Sequence, residues 1–273
     1  MTVRRVSVER IGARDGASRD DDVVVEEPLE IRVGGDTLAI TMRTPGEDEA
    51  LALGFLWSEG ILRSRGDVAS VAHCGRTGDA ARGNTIDVVL APGVKTVLDD
   101  VDAPLLARRG TITTSACGVC GRRSIDDLLA KFEPLTGGPR VHGDVVVAAL
   151  DEMRRRQSVF ARTGGSHAAS LLTAQGAHVA TSEDIGRHNA VDKVIGARLR
   201  AGELPLCDHV LAVSGRASFE IVQKAIAARI PIVAAVSAAS SLAIELAERA
   251  NLTLLGFARG GAATVYTGHE RVR

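Results

Sequence analysis

The sequence predicts an α/β protein in two parts. A small N-terminal α+β domain with antiparallel strands covers residues 1–105, and a larger α/β domain with a mostly parallel sheet covers 106–273. Three observations predict this. Beyond about residue 140, strands and helices alternate strictly, and the strands are near-continuous apolar runs, as strands buried on both faces read. Nearer the start, apolar and polar residues alternate on either side of Gly34-Gly35-Asp36, the period-2 signature of a hairpin with one buried face. The length of 273 residues, at roughly 150 per domain, gives about two domains.

In chain order, residues 3–10 are a first short strand, and 12–22, rich in Gly, Asp, Arg and Ser, read as a mobile loop. Residues 29–33 and 37–43 are the hairpin arms. Thr44-Pro45-Gly46-Glu47 has the form of a capping box, with Thr44 at the N-cap, Pro45 at N1 and Glu47 at N3. It predicts a helix to about Ile61 that buries Leu51, Phe55 and Leu56 or their neighbours. Strands at 68–73 and 85–90 complete the first part. Helices are predicted over 124–132 and 145–156. Strands at 168–173 and 179–182 precede a helix over 189–200, whose Val191, Val194, Ile195 and Leu199 recur at helical spacing. Strand 209–213, helix 218–229, strand 231–236, helix 240–250 and strand 252–257 follow, with a last strand at 263–267. The segment carries no internal repeat.

Composition removes several classes of function. Lys plus Arg total 33 against 34 acidic residues, so no global field draws in nucleic acid or an anionic membrane. No apolar run reaches the ~18 residues of a membrane span, and residues 1–12 lack the apolar core of a signal peptide, so a cytoplasmic location is expected. Four cysteines, Cys74, Cys117, Cys120 and Cys207, are too few for a disulfide framework. Cys207 reads as a small core residue ahead of a strand.

The densest chemical signal is Ser115-Ala116-Cys117-Gly118-Val119-Cys120-Gly121-Arg122-Arg123. Three readings of this pair stay open. A structural zinc site would want a second close pair, which Cys74 and Cys207 do not make. A thioredoxin-type redox pair would open a helix directly after a strand. A nucleophilic cysteine carrying sulfur as a persulfide would need an accessible thiolate, whose pKa Arg122, Arg123 and the helix end at Ser124 would lower.

Other motifs sit at strand ends. Glu183-Asp184-Ile185-Gly186-Arg187-His188-Asn189 leads into Ala190-Val191-Asp192-Lys193; Arg187 and His188 at the helix entry fit an anion or nucleotide clamp, and Asp192 with Lys193 fits a surface pair on a solvated face. Gly164-Gly165-Ser166-His167 is a glycine turn, and His167 is either a satisfied histidine at a strand start or a donor to a ligand. Ser214-Gly215-Arg216 lies in a strand-to-helix loop that could hold phosphate. Residues 237–241 repeat that arrangement, with hydroxyl capping of the next helix as the structural explanation. Arg154-Arg155-Arg156 reads as a solvated helix face. Phe257-Ala258-Arg259-Gly260-Gly261-Ala262 leaves the last parallel strand, where open sheets place ligand crevices; by itself it also reads as a plain glycine turn.

Taken together, the cysteine run, Gly164-Gly165-Ser166-His167, residues 183–193 and Ser214-Gly215-Arg216 resemble the FdhD/NarQ family of formate dehydrogenase accessory proteins, over most of the chain from Leu29 to Gly268. The resemblance implies a three-layer, cytidine-deaminase-like α/β fold for the second part. It implies a sulfurtransferase that passes sulfur from an IscS-type cysteine desulfurase to the Mo-bis(molybdopterin guanine dinucleotide) cofactor before formate dehydrogenase receives it. Cys117 would bear the persulfide and Cys120 would be its partner. Phe257, Ala258, Arg259, Gly260, Gly261 and Ala262 would bind the cofactor, joined at the crevice by Arg187, His188, Ser214, Gly215, Arg216 and His167. A guanine nucleotide would be a partial mimic. No resident metal is expected: the sequence has no His-x-Glu, and Ala116 rather than proline precedes Cys117, which disfavours zinc deaminase chemistry. A homodimer would suit a two-ended cofactor. The rival expectation is a non-catalytic cofactor-binding chaperone whose cysteines bind zinc or serve structure.

Overall fold

The structure is a computed structural model and describes residues 1–9, 11, 18–74, 83–95 and 133–273. The border at 105/106, the helix predicted over 124–132, and Cys117 and Cys120 lie outside the described residues.

The first part contains β1 (Val3–Glu9), β2 (Ser18–Val24), β3 (Glu27–Val33), β4 (Asp36–Arg43), α1 (Asp48–Ser58), a 3-10 turn at Arg65–Asp67, β5 (Val68–His73) and β6 (Thr85–Leu90). Strands β1 and β2 form an antiparallel ribbon, and the other four make a sheet in the order β4-β3-β6-β5. The hairpin about Gly34-Gly35 forms as expected, with both glycines at positive φ. The mobile-loop expectation fails over residues 18–22, which are strand. Three consecutive aspartates are poor strand formers, but β1 supplies a full ladder from Val3↔Val24 to Glu9↔Ser18.

The capping box also does not form. Gly46 and Glu47 take positive φ, and α1 starts at Asp48. Thr44 and Glu47 are recruited elsewhere: the Thr44 amide donates to Asp184 at 3.0 Å, its hydroxyl accepts from the Ile185 amide at 3.0 Å, and Glu47 accepts from Ser182 at 3.1 Å.

The second part contains α2 (Gly143–Arg156), α3 (Ser158–Thr163), β7 (His167–Thr173), β8 (His178–Asp184), α4 (Arg187–Ala201), β9 (His209–Val213), α5 (Phe219–Ala227), β10 (Ile232–Ala235), α6 (Ser241–Arg249), β11 (Thr253–Arg259) and β12 (Ala262–Thr267). These strands form one sheet in the order β12-β11-β10-β9-β7-β8. In this sheet parallel pairing is confined to β9, β10 and β11, while β12 and the β7-β8 hairpin pair antiparallel; in the smaller sheet β3 and β6 pair parallel, against the expectation of antiparallel strands there. The expectation of a mostly parallel sheet is corrected on this point. The β7-β8 and β11-β12 connections are too short for a crossover, so these neighbours must run antiparallel.

Alternate strand residues face opposite ways, and both faces are apolar. Leu211, Val213, Val233 and Leu254 pack under α4, α5 and α6, while Val210, Ala212, Ile232 and Leu255 pack against Val146, Leu150 and Met153 of α2. Helices therefore cover the sheet on both sides. Ser240 caps α6, accepting from the Ala243 amide at 3.3 Å, as its sequence suggested. Cys207, expected in the core, is exposed just ahead of β9.

Helix α1 covers the four-stranded sheet with Leu51, Leu53 and Leu56 and lies against α4. The crossing is close because glycines face it from both sides. A Cβ on Gly54 would sit 1.9 Å from the Asp192 carbonyl oxygen, and one on Gly196 would sit 1.9 Å from that of Ala50. Beside the crossing, buried Asp192 pairs with Lys224 at 2.7 Å and accepts from Ser58 at 3.0 Å, so it is not the surface residue its sequence context suggested.

Candidate functional site

The carboxyl ends of β9, β10 and β11 open on one edge of the large sheet. Antiparallel β7 brings its first residue, His167, to the same edge, with Ala169 opposite Val213. Helix α4 starts there as well, directly after β8. Four of the expected residues meet at this point. Ser214 Oγ accepts from the Ala168 amide at 2.9 Å and lies 3.5 Å from His167 Nδ1. Gly215 faces Arg187 and His167 so closely that a Cβ on it would lie 3.5 Å from Arg187 Cδ and from His167 Nδ1. Arg187 Nε is buried and makes no hydrogen bond among the described residues. A buried guanidinium donor is normally satisfied, so this one is available to an anion.

His188 is 7% exposed and does its bonding inside the protein. Its Nε2 lies 2.7 Å from Glu220 and 3.2 Å from Ser218, the residue that opens α5. It therefore orders the loop that carries Ser214, Gly215 and Arg216. Glu220 and Ser218 were not found from the sequence; an acid and a serine at a helix start are ordinary, and only the fold places them beside a residue some thirty positions away.

Residues 257–262 join the edge through backbone. The Ser237 amide donates to the Gly215 carbonyl at 3.3 Å, and the Phe257 amide donates to the Ser237 carbonyl at 3.1 Å. Gly256 packs so tightly under this loop that a Cβ there would lie 3.0 Å from Ser237 O. A bulge between Gly256 and Arg259 puts Phe257 at φ 50, and the residue is 44% exposed. Gly260 and Gly261, both at positive φ, make the two-residue turn into β12, and Ala258 is buried while Ala262 is exposed. Arg216 and Arg259 are exposed at the rim, and no hydrogen bond or ion pair ties them to the other site residues among the described residues.

The rest of residues 183–193 serve the fold. Glu183 accepts from the Val159 and Phe160 amides and from Ser166 Oγ, each at 2.8 Å, which fixes the turn before His167. Asp184 pairs with Lys193 at 2.7 Å, Lys193 donates to the Thr44 carbonyl at 3.0 Å, and Asn189 donates to the Met42 carbonyl at 2.8 Å. This is an internal clamp onto the end of β4, and of the motif only Arg187 and His188 border the crevice. Arg154, Arg155 and Arg156 are exposed, as expected, and two of them pair with Glu152.

Burial pushes the pKa of His167 down, and the charges of Arg187 and His188 push it further against the opposing pull of Asp184. His167 is therefore neutral at neutral pH, a donor or acceptor beside a fixed cation. An NMR titration of its ring should give a midpoint below the ordinary value of about 6.5, and Arg187→Gln should raise it. The sign for stability follows: the unfolded chain takes the proton first, so stability falls as pH drops through about 6.5 and stops falling below the folded pKa. His178 and His209 shift the same way through burial. A His167 midpoint above the ordinary value would contradict the burial described here.

Among the described residues no group of three or more His, Cys, Asp or Glu side chains could hold a metal ion, and no helix is long and apolar enough to cross a membrane.

The chain is similar to known proteins over most of its length. A model of the FdhD/NarQ family matches residues 24–273. A sulfur carrier protein FdhD of Anaeromyxobacter dehalogenans (strain 2CP-1) is 52% identical over 270 residues, 97% of this chain and 93% of that one. Proteins of the same description from Streptomyces coelicolor and Mycobacterium tuberculosis are each 49% identical, covering 96% and 97% of this chain and 93% and 96% of theirs. A crystal structure described as that of a formate dehydrogenase accessory protein from Desulfotalea psychrophila matches with a TM-score of 0.74, covering 99% of this chain and 98% of that one. At 22% identity that likeness speaks for the fold alone.

Proposed function

The chain belongs to the FdhD/NarQ family, and from that premise we propose that it is a sulfur carrier serving formate dehydrogenase. Cys117 takes sulfur from an IscS-type cysteine desulfurase. Its thiolate attacks the terminal sulfur of the desulfurase persulfide, the donor cysteine leaves as thiolate, and the persulfide now rests on Cys117. The acceptor, Mo-bis(molybdopterin guanine dinucleotide), is the substrate of the second half-reaction. Cys120 supplies the two electrons that turn sulfane sulfur into hydrosulfide: its thiolate attacks the inner sulfur, a Cys117–Cys120 disulfide forms, and hydrosulfide leaves toward the acceptor.

The crevice suits the nucleotide ends of that substrate. Arg187 offers a buried, unused guanidinium donor, the backbone at Gly215 approaches without a side chain, and Ser214 and neutral His167 add polar contacts. Arg216 and Arg259 at the rim neutralise phosphate charge, exposed Phe257 offers an apolar face to a base, and the turn through Ala258, Gly260, Gly261 and Ala262 carries both. His188 acts by holding the Ser214–Arg216 loop. The α/β domain is then of the cytidine-deaminase-like kind, and the protein works in the cytoplasm as a homodimer around a two-ended ligand.

The observation that carries this reading is 52% identity, over 97% of the chain, to a protein named as a sulfur carrier. Its test is sulfur loading. After incubation with a cysteine desulfurase and cysteine, the Cys117 peptide should gain about 32 Da, one sulfur atom, and lose it on reduction. No gain while guanine nucleotide still binds would overturn the carrier in favour of a cofactor-binding chaperone.

A further inference from the structure

At the far end of α4, about 20 Å along the helix from Arg187, a cavity of about 310 Å³ opens between α1, β5 and α4. Leu53, Val68, Val71 and Leu199 line it together with Arg65 and Arg200. Arg65 is exposed and has no ion-pair partner among the described residues, and Arg63 is exposed beside it. Arg200 pairs with Glu49 at 3.0 Å, its side chain 55% exposed. Asp67, the acid of the same turn, is folded back onto the Arg63 and Ser64 amides at 2.7 and 2.9 Å.

The cavity lies along an edge strand. Strand β5 is outermost in its sheet and pairs with β6 alone among the described residues. Ala69, Ser70 and Ala72 on it are small and exposed, so a second backbone can approach. A volume at the low end of ligand pockets takes one or two apolar side chains rather than a large ligand.

We propose that this edge is a docking site for an acidic, extended segment of a partner protein, which adds a strand to β5, sets an apolar side chain against Val68 and Val71, and sets carboxylates against Arg65 and Arg200. Main-chain pairing supplies affinity, and the cavity with its two arginines supplies selectivity. Because the site lies away from the crevice, a docked partner leaves the sulfur acceptor's place open, and the proposal does not depend on the sulfur chemistry.

The probe is a short fluorescent peptide of alternating glutamate and valine, added to the full chain, with its lysine–valine counterpart as control. The glutamate peptide should bind saturably, and more weakly as salt rises. The double variant Arg65→Gln/Arg200→Gln should weaken it by about tenfold or more while melting at the wild-type temperature. Hydrogen exchange should slow at Val68–His73 on binding. Absence of saturable binding, equal affinity in the double variant, or protection elsewhere in the chain would overturn the proposal. Binding of decanoate at the cavity with no binding of the peptide would overturn it in favour of a site for small amphipathic anions.

Discussion

Gly196→Ala should destabilise the protein by about 3 kcal/mol or more, the upper end of what overpacking does in a core. The added methyl would lie 1.9 Å from the Ala50 carbonyl oxygen and 2.7 Å from the Gly54 amide nitrogen. Both obstacles are backbone, so no rotamer change relieves them and the two helices must part. Separation would open the leucine contacts of α1 and strain the Ser58–Asp192–Lys224 group beside the crossing. For a chain of this size, such a loss corresponds to a melting temperature lower by roughly 6–12 °C. Gly54→Ala meets the Asp192 carbonyl at the same 1.9 Å and should act alike, with a double variant falling short of the sum because one separation serves both. Gly143→Ala is the control: its methyl meets nothing nearer than 3.7 Å, so it should melt within about 0.5 kcal/mol of wild type. Wild-type melting of Gly196→Ala would refute the close crossing.

Cys117→Ser should leave the melting temperature unchanged and reduce formate dehydrogenase maturation by at least about a hundredfold. A serine oxygen stays protonated near neutral pH and does not hold sulfane sulfur, so the exchange loses the carrier step outright. The measurement is formate dehydrogenase activity in cells whose only source of this protein is the variant. Cys120→Ser divides the cycle differently: the Cys117 peptide should still gain sulfur, and activity should fall because the electrons for release are missing. Undiminished maturation with Cys117→Ser would refute the persulfide role.

Much of the fold is legible because its signals are periodic. The 209–257 alternation reads directly as strand and helix, since apolar runs and 3.6-residue spacing depend on nothing outside each segment. The departures have a common cause in distant partners. Residues 18–22 become strand only because β1 lies alongside, and Thr44 and Glu47 abandon a local cap for partners some 140 positions later. Strand order is equally non-local, so the short connections after β7 and β11 could be read as turns without showing which sheet edges they form. In the candidate site, His167, Arg187, Ser214 and Gly215 announce themselves as polar or glycine residues at strand ends. Their partners do not: nothing near Glu220 in the sequence marks it as the neighbour of His188. The cysteine pair was the plainest signal of all, and it lies outside the described residues.

The clamp at the end of β4 has an asymmetric form. Asp184, Asn189 and Lys193 contribute side chains, whereas Met42 offers its carbonyl and Thr44 its amide and carbonyl, joined by two hydroxyl contacts, Thr44 with the Ile185 amide and Thr41 with Asn189. A peptide group is the same whichever amino acid bears it. Drift at positions 42 and 44 therefore leaves most of the junction standing, while each exchange at 184, 189 or 193 strands a charge or amide away from water. At this clamp the genetic burden falls mainly on the second half, and a chimera whose borrowed first ninety residues keep Glu47, Gly54 and Ser58 should still close against it.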